Sequence, residues 1–187
     1  SGIACQITNS TLHLLDVDVH GSGIDWSDGG ALIAENAQVS ISDSRFSDNI
    51  AANGGVIVAS AGSALEIERS SFAANATSYG DGGAFYLDDT ELVVRESAFA
   101  DHSASNGGVL IASGQSSIEI TDSQFSDNLA TYGNGGTLHV SDQSTLTLDS
   151  CEFEREEAGS AGGALYAQDL QITITDSTFT DCFTGWD

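Results

Sequence analysis

One stretch, Gly29-Gly30-Ala31-Leu32-Ile33-Ala34, sets the organisation of the chain, because its pattern recurs along the whole sequence. Two glycines, a small residue and a large apolar residue are found six times, and a degenerate copy, Ser1-Gly2-Ile3-Ala4, opens the chain. The other five complete copies begin at Gly54, Gly82, Gly107, Gly135 and Gly162. Self-similarity at a period of about 20 to 50 residues is typical of solenoids and propellers. The repeat therefore predicts a fold built from stacked copies of one unit.

Each copy is followed by further apolar positions at constant spacing. In the coil that starts at Gly29, Val39 and Ile41 alternate with polar residues, and Phe46 follows. Alternation with a period of two is typical of a strand with one buried face. We therefore predict an all-β fold, a parallel β-helix of about seven coils with three short strands each, in which equivalent residues stack about 4.8 Å apart. Residues 1–187 then form a single β-helix segment.

The composition limits the classes of partner. The chain has 187 residues, 40% hydrophobic content, 21 glycines, no proline and a formal net charge of −24. Nucleic acid is excluded as a partner, because its binding depends on Lys and Arg that neutralise phosphates. No apolar run reaches the roughly 18 residues that span a bilayer. The absence of methionine indicates a processed form or a segment of a longer chain.

One column of the first strand combines predicted exposure with apolar character. The residue after the large apolar residue of each copy should point outward, since its two neighbours point into the core. This outer column contains Ile33, Val58, Tyr86, Ile111, His139 and Tyr166. Its five apolar members, flanked by a column of Ala and Val that starts at Ala31, would form a stripe typical of contact with a partner. The alternative is a covering loop, or exposure without a function.

The coils alternate in length, and the longer coils carry an aromatic residue shortly before the next Gly-Gly. Successive copies start 25, 28, 25, 28 and 27 residues apart. The aromatic residues are Trp26, Tyr79, Tyr132 and Trp186. Two coils should rise about 9.6 Å, so the rings would form a line suited to an extended glycan. Alternatively, each ring covers its shorter neighbouring coil.

Two motifs in register give the repeat a resemblance to a known family. Gly-Gly-Ala-Leu and Phe-x-x-Asn resemble the paired motifs of the chlamydial polymorphic outer membrane protein repeat, which occurs widely in surface and secreted proteins. The second motif is intact at residues 46–49, 72–75 and 125–128, and its last residue changes to His102, Glu156 and Cys182 in other coils. The resemblance covers essentially the whole chain. It implies a right-handed, pectate-lyase-like β-helix of an adhesive passenger domain, located outside the cell or at its surface, and it implies no catalytic residue.

Catalytic and metal sites find little support in the sequence. Polysaccharide lyases of this shape resemble one another in using a basic residue beside carboxylates, but the four arginines fall at different places in their coils. The adjacent Asp88 and Asp89 are typical of a solvated turn. A column of acids would bind calcium weakly or, alternatively, would only keep the surface soluble. It contains Asp16, Asp43, Glu96, Asp122 and Asp176. We therefore predict no cofactor beyond such calcium and no enzyme activity.

Together these features predict a non-catalytic structural or adhesive segment of an extracellular or cell-surface stalk or fibre. The alternative is a module that binds or cleaves polysaccharide. Both ends match the repeat in phase, so we expect further coils of the same chain, or other copies of it, to stack end to end or side by side. Cys5 and Cys182 should lie about 29 Å apart, too far to pair within one straight solenoid. Asn9 and Asn75 occur in glycosylation sequons.

Overall fold

Four parallel sheets extend along the molecule. The computed structural model describes residues 5–23 and 26–185. Each strand pairs only with the equivalent strands of the preceding and following coils. The chain is therefore a parallel β-helix of seven coils, which confirms the fold class predicted from the repeat. Among the described residues, no helix is long and apolar enough to cross a membrane.

Three of the sheets have seven strands and the fourth has six. The first sheet consists of Cys5–Thr8, Leu32–Glu35, Ile57–Ser60, Phe85–Asp88, Leu110–Ser113, Leu138–Val140 and Leu165–Ala167. The second consists of Thr11–Leu15, Gln38–Ser42, Ser63–Glu68, Thr90–Arg95, Ser117–Thr121, Thr145–Asp149 and Gln171–Thr175. The third consists of Asp18–His20, Arg45–Ser47, Ser71–Ala73, Ala98–Ala100, Gln124–Ser126, Glu152–Glu154 and Thr178–Thr180. The fourth consists of Ile50–Ala51, Ala76–Thr77, Ser103–Ala104, Leu129–Ala130, Glu157–Ala158 and Phe183–Thr184.

Two details differ from the sequence-based prediction. The fourth sheet adds one strand to the three predicted per coil, because its two-residue strands are too short to show alternation. The first coil is also displaced by one residue: residues 1–4 lie outside the described residues, but Cys5 pairs with Leu32, where Ala4 was expected. The reason is that Cys5 and Ile7 occupy the inner, partly buried positions of their strand.

Stacked columns of apolar side chains form one continuous core. In the third sheet, phenylalanine rings stack face to face, with 5.0 Å between the centroids of Phe72 and Phe99 and 4.6 Å between those of Phe125 and Phe153. Phe85 of the first sheet packs edge-on against Phe72, with the centroids 5.1 Å apart. Because these rings are no more than 2% exposed, burial and stacking both stabilise the contacts between coils.

Residues in the left-handed conformation form the corners of each coil. In the turn between the second and third sheets, their φ angles lie between 45° and 55°. The seven residues at this corner are Asp16, Asp43, Arg69, Glu96, Asp122, Ser150 and Asp176. Aspartate adopts this conformation more readily than most residues, because its short polar side chain can hydrogen-bond locally. Backbone conformation thus explains the column of acids, and weak calcium binding there stays a prediction.

Buried polar ladders close two of the turns. Ser44 accepts a hydrogen bond from Val17 N at 3.1 Å and donates one within its own turn at 2.7 Å, and serines of the next coils repeat the pattern. In the following turn, Asn75 accepts from Asn49 N at 3.0 Å, and its Nδ2 donates to Phe46 O at 3.0 Å. These side chains satisfy backbone groups that the turns would otherwise leave buried and unpaired.

Two smaller features are the glycosylation sequons and the cysteines. Asn75 is 0% exposed, so its sequon is inaccessible in the folded chain, whereas Asn9 is exposed in a turn. The three cysteines, Cys5, Cys151 and Cys182, are all free. The described coils are therefore held together by stacking and hydrogen bonds and not by a disulfide.

Candidate functional site

The outer face of the first sheet brings the predicted interface residues into one row. Residues of the outer column pair in register from coil to coil, as Ile33 does with Val58 and Tyr86 with Ile111. The column continues through the pairing of His139 with Tyr166. All six side chains are half-buried, so each keeps part of its surface in contact with solvent. Their role as a partner interface stays a prediction.

The flanking Ala and Val column does not belong to this surface, which corrects the sequence-based expectation. Ala31, Val56, Ala84 and Val109 are 0–4% exposed. The cause is a backbone irregularity, in which Ala31 N and Leu32 N both donate to Val56 O at 2.9 Å. Because two consecutive residues pair with one residue of the next strand, the alternation of inward and outward side chains is interrupted, and the side chains of Ala31 and Leu32 both point inward. The same arrangement, two consecutive amides donating to one carbonyl oxygen, recurs in the following coils.

Glycine provides the surface against which the outer column packs. A Cβ atom on Gly29 would lie 2.7 Å from Ile33 Cγ1, and one on Gly54 would lie 2.8 Å from Val58 Cγ2. Both glycines have positive φ angles, +67° and +57°. Gly29 and Gly54 therefore turn the chain and also leave room for the branched side chain that follows each of them. This packing contributes to the partial burial of Ile33 and Val58.

A ladder of Asp and Asn side chains runs beside the glycines. We call it the Asx ladder, and it consists of Asp28, Asn53, Asp81, Asn106 and Asn134. Asn53 Nδ2 donates to Asp28 Oδ1 at 2.9 Å, and Asn106 Nδ2 donates to Asp81 Oδ1 at 2.9 Å. The backbone also takes part, since Asp81 N donates to Asn53 Oδ1 at 3.1 Å. The sequence signal for this ladder, an Asx residue before five of the six Gly-Gly pairs, was missed.

The aromatic residues of the long coils extend into solvent. Trp26, Tyr79 and Tyr132 are 83%, 80% and 72% exposed; Trp186 lies outside the described residues. The loop backbone, and not the ring, contacts the shorter neighbouring coil, because Gly80 O accepts from Ser105 N at 2.7 Å. Such exposure does not support the interpretation that the rings cover their neighbours. Binding by this ring line, as we call the three described rings, stays a prediction.

Acidic groups dominate the electrostatics of this face. Burial raises the pKa of the Tyr86 phenol, and nearby Asp81 and Asp88 raise it further. Burial also lowers the pKa of His139, whose Nδ1 is buried without a hydrogen-bond partner among the described residues. Tyr86 and His139 are therefore neutral at neutral pH, and the charges near Tyr86 are the carboxylates of Asp28, Asp81 and Asp88.

The positive charges of the chain lie on other surfaces. They are Arg45, Arg69, Arg95 and Arg155, in the second and third sheets and in the turns beside the third sheet. Arg69 binds both carboxylate oxygens of Asp43, at 2.9 and 3.0 Å, and Arg155 binds both of Asp127, at 2.7 and 2.8 Å. These two arginines are thus paired with neighbouring corner residues. The described part of the first-sheet face has no arginine.

The adjacent acids Asp88 and Asp89 lie at the opposite edge of the face. Asp88 ends a strand of the first sheet, and Asp89 occupies a left-handed corner with a φ angle of 50°. Both are exposed. Asp89 therefore lies in a solvated turn, as predicted, whereas Asp88 is the last residue of the strand before it. The absence of catalysis stays a prediction.

One comparison with known proteins bears on the fold. The profile of a family described as a right handed beta helix region matches residues 1–179. No curated protein and no solved structure is significantly similar to the chain. The match agrees with the parallel coils described above and confirms the right-handed, pectate-lyase-like β-helix. The match does not confirm the more specific resemblance to the chlamydial polymorphic outer membrane protein repeat.

Proposed function

Because the chain belongs to the right-handed β-helix family, we propose that it is a non-catalytic adhesive segment that binds an extended polysaccharide along its first sheet. The observation that carries this proposal is the exposure of Trp26, Tyr79 and Tyr132, by 72–83%, on alternate coils. Large exposed rings in a regular row are costly to leave in water without a partner. The proposal joins the structural and the glycan-binding interpretations of the sequence.

The spacing of the rings supports an extended ligand. Equivalent residues two coils apart are separated by about 9.6 Å along the axis. An aromatic ring presents a flat apolar surface to the apolar face of a sugar. Asn53 and Asn106 each use one Nδ2 hydrogen within the Asx ladder, and the second hydrogen of each amide can be donated to a hydroxyl group. A linear glycan would therefore meet the same groups repeatedly as it follows the coils.

The backbone of the first sheet supports a glycan over a peptide. Strands of this sheet are paired on both sides between the first and last coils, as Phe85–Asp88 is with its two neighbours. An extended peptide gains most of its affinity for a sheet from main-chain hydrogen bonds at a free edge. No such edge exists along the side of the described coils. A ligand on this face has to be held by side chains, which suits sugars.

Several observations support a structural role without catalysis. Asp88 ends a strand, Asp89 occupies the exposed corner after it, and the arginines lie on other faces. The likeness of the two motifs to the chlamydial polymorphic outer membrane protein repeat supports an adhesive passenger segment outside the cell or at its surface. We propose this location on that likeness alone.

The apolar columns are more exposed in the seventh coil than in the coils before it. In the seventh coil, Ile172, Ile174, Phe179 and Phe183 are 42%, 41%, 42% and 51% exposed. The sixth-coil residues equivalent to the first three, Leu146, Leu148 and Phe153, are no more than 1% exposed. Exposed apolar columns and unpaired strand edges favour association with another strand layer.

Binding to insoluble and soluble polysaccharides tests the proposed function. Replacing both Tyr79 and Tyr132 by alanine should weaken binding about tenfold, since each ring contact contributes about 0.5 to 1.5 kcal/mol. Leu15→Ala is a matched control, because Leu15 is 67% exposed on the second sheet. Unchanged binding in the double variant, or an equal loss in the control, would contradict the proposal.

A further inference from the structure

Two of the three described rings are followed by a carboxylate, whereas Tyr132 is followed by Asn134. Trp26 precedes Asp28 by two residues, and Tyr79 precedes Asp81 by two residues. In each case the ring is exposed and the carboxylate belongs to the Asx ladder. An aromatic face and a carboxylate both attract cations, the ring through its quadrupole and the carboxylate through its charge. The combination is therefore more specific than either group alone.

The ladder holds each of these carboxylates through one oxygen, Oδ1, and leaves the other oxygen, Oδ2, unbonded within the described chain. Asp81 Oδ1 accepts from Asn106 N at 3.1 Å and from Asn106 Nδ2 at 2.9 Å. Asp28 also uses Oδ1, which accepts from Asn53 Nδ2 at 2.9 Å. The Oδ2 atom of each aspartate has no hydrogen-bond partner among the described residues. Each carboxylate is thus held in place with one acceptor available for a ligand.

The negative charge at these positions is not required by the ladder. Asn53, Asn106 and Asn134 occupy equivalent positions, and Asn53 and Asn106 each accept a hydrogen bond through Oδ1 as Asp81 does. Nor does an arginine of the described chain neutralise the charge, in contrast to Asp43 and Asp127 at other corners. The charges of Asp28 and Asp81 are therefore without a structural partner on the described face.

We infer that the polysaccharide recognised by this face carries free amino groups, with its ammonium groups at the ladder carboxylates and its sugar rings on the ring line. This inference rests on the proposed function, since it names the ligand class of the same surface. An anionic polysaccharide is repelled by the carboxylates and meets no arginine. A neutral one gains the ring contacts but not the charge. A β-linked polymer of glucosamine provides both.

Three oligosaccharides of equal length separate these possibilities. Hexamers of glucosamine, N-acetylglucosamine and galacturonate are titrated by calorimetry at about pH 6, where an amine is protonated, and at about 0.15 M salt. We expect the glucosamine hexamer to bind about tenfold more tightly than the N-acetylated one, and the galacturonate hexamer not to bind.

Charge-matched variants separate a local contact from diffuse attraction. Asp81→Asn keeps the ladder bond and should weaken binding of the glucosamine hexamer about fivefold, with no effect on the N-acetylated hexamer. Asp101→Asn removes the same charge from an exposed corner between the third and fourth sheets and should change neither affinity.

The outcomes distinguish failure of this inference from failure of the proposed function. Equal losses in Asp81→Asn and Asp101→Asn, or equal affinity for the charged and neutral hexamers, would overturn the inference. If the neutral hexamer still required Tyr79 and Tyr132, the proposed function would stand. If no hexamer bound, both would fall.

Discussion

Glu156 takes the place of asparagine in the buried ladder between the third and fourth sheets. Its side chain is 0% exposed, and Oε2 accepts from Asn128 N at 2.9 Å. In this ladder Asn75 also donates, through its Nδ2 to Phe46 O. An ionised carboxylate has no proton to donate, whereas a neutral carboxyl reproduces one donor and one acceptor. Oε1 also accepts from Asn128 Nδ2, at 3.3 Å, so the hydrogen bonds of Glu156 favour the carboxylate. Burial opposes them, and its larger effect raises the pKa of Glu156 and favours the protonated form.

The pH dependence of stability tests this interpretation. Burial raises the pKa of Glu156 from 4.5 to about 7. The folded state then binds more protons than the unfolded state, so stability falls as the pH rises from about 4.5 to about 7, by about 2 to 3 kcal/mol. Glu156→Gln should remove this component and be more stable than the parent chain above pH 7. The free energy of unfolding of both proteins, measured by denaturant titration at each pH, gives the comparison.

The test uses the difference in the free energy of unfolding between the parent chain and Glu156→Gln at each pH. The difference is needed because His102 changes stability with pH in the opposite direction. Burial lowers its pKa from 6.5 to about 4, so the folded state favours the neutral ring and loses stability as the pH falls through that range. His102 is common to both proteins and cancels in the difference. Parallel curves for the parent chain and Glu156→Gln would show that Glu156 is ionised in the fold.

At the scale of the repeated element, the first glycine of each pair should be hard to replace, because it combines a positive φ angle with a close backbone contact. Gly82 has a φ angle of +68°, and a Cβ atom there would lie 2.1 Å from Phe85 O. Gly62 has a φ angle of +76° with nothing within 4 Å of the same atom. Gly62→Ala should therefore cost about 1 to 2 kcal/mol for conformation alone. Gly82→Ala should cost clearly more, because the backbone has to move as well.

Thermal and denaturant unfolding of the two glycine variants provide the measurement. The comparison isolates the steric contact, since both positions need a positive φ angle. Equal losses of stability would mean that the coil relaxes around a new Cβ atom at Gly82, and that the glycine pair is not what fixes the corner.

Much of the repeated element could be predicted because a solenoid converts periodic sequence into stacked columns. The phenylalanine column and the outer position of Ile33 follow from spacing alone. Inward placement of Ala31 did not, because it depends on two amides sharing Val56 O. The two-residue strands of the fourth sheet carry too few residues for a period to be visible. Exposure of Tyr79 depends on the path of its loop, which local sequence does not specify.

At the scale of the whole molecule, charge should oppose the stability of the stack. The net charge is −24, and carboxylates recur at the corners of most coils. Like charges repel less when salt screens them, over about 10 Å at 0.1 M ionic strength. We therefore expect the melting temperature to rise with added sodium chloride or with calcium, as followed by circular dichroism. Equal melting temperatures in low salt, high salt and calcium would show that the corner charges are too far apart to interact.

The central claim is that a linear polysaccharide binds across successive rings of the ring line. The dependence of affinity on ligand length tests it most directly, because only a ligand that is long enough can contact two rings at once. Glucosamine and N-acetylglucosamine oligomers, from dimer to octamer, are titrated against the chain and against the variant with both Tyr79 and Tyr132 replaced by alanine. We predict that affinity rises about tenfold once an oligomer is long enough to span about 9.6 Å between successive rings, and that this rise is absent in the double variant. Affinity that is independent of length, or a rise that persists without the two tyrosines, would contradict the account.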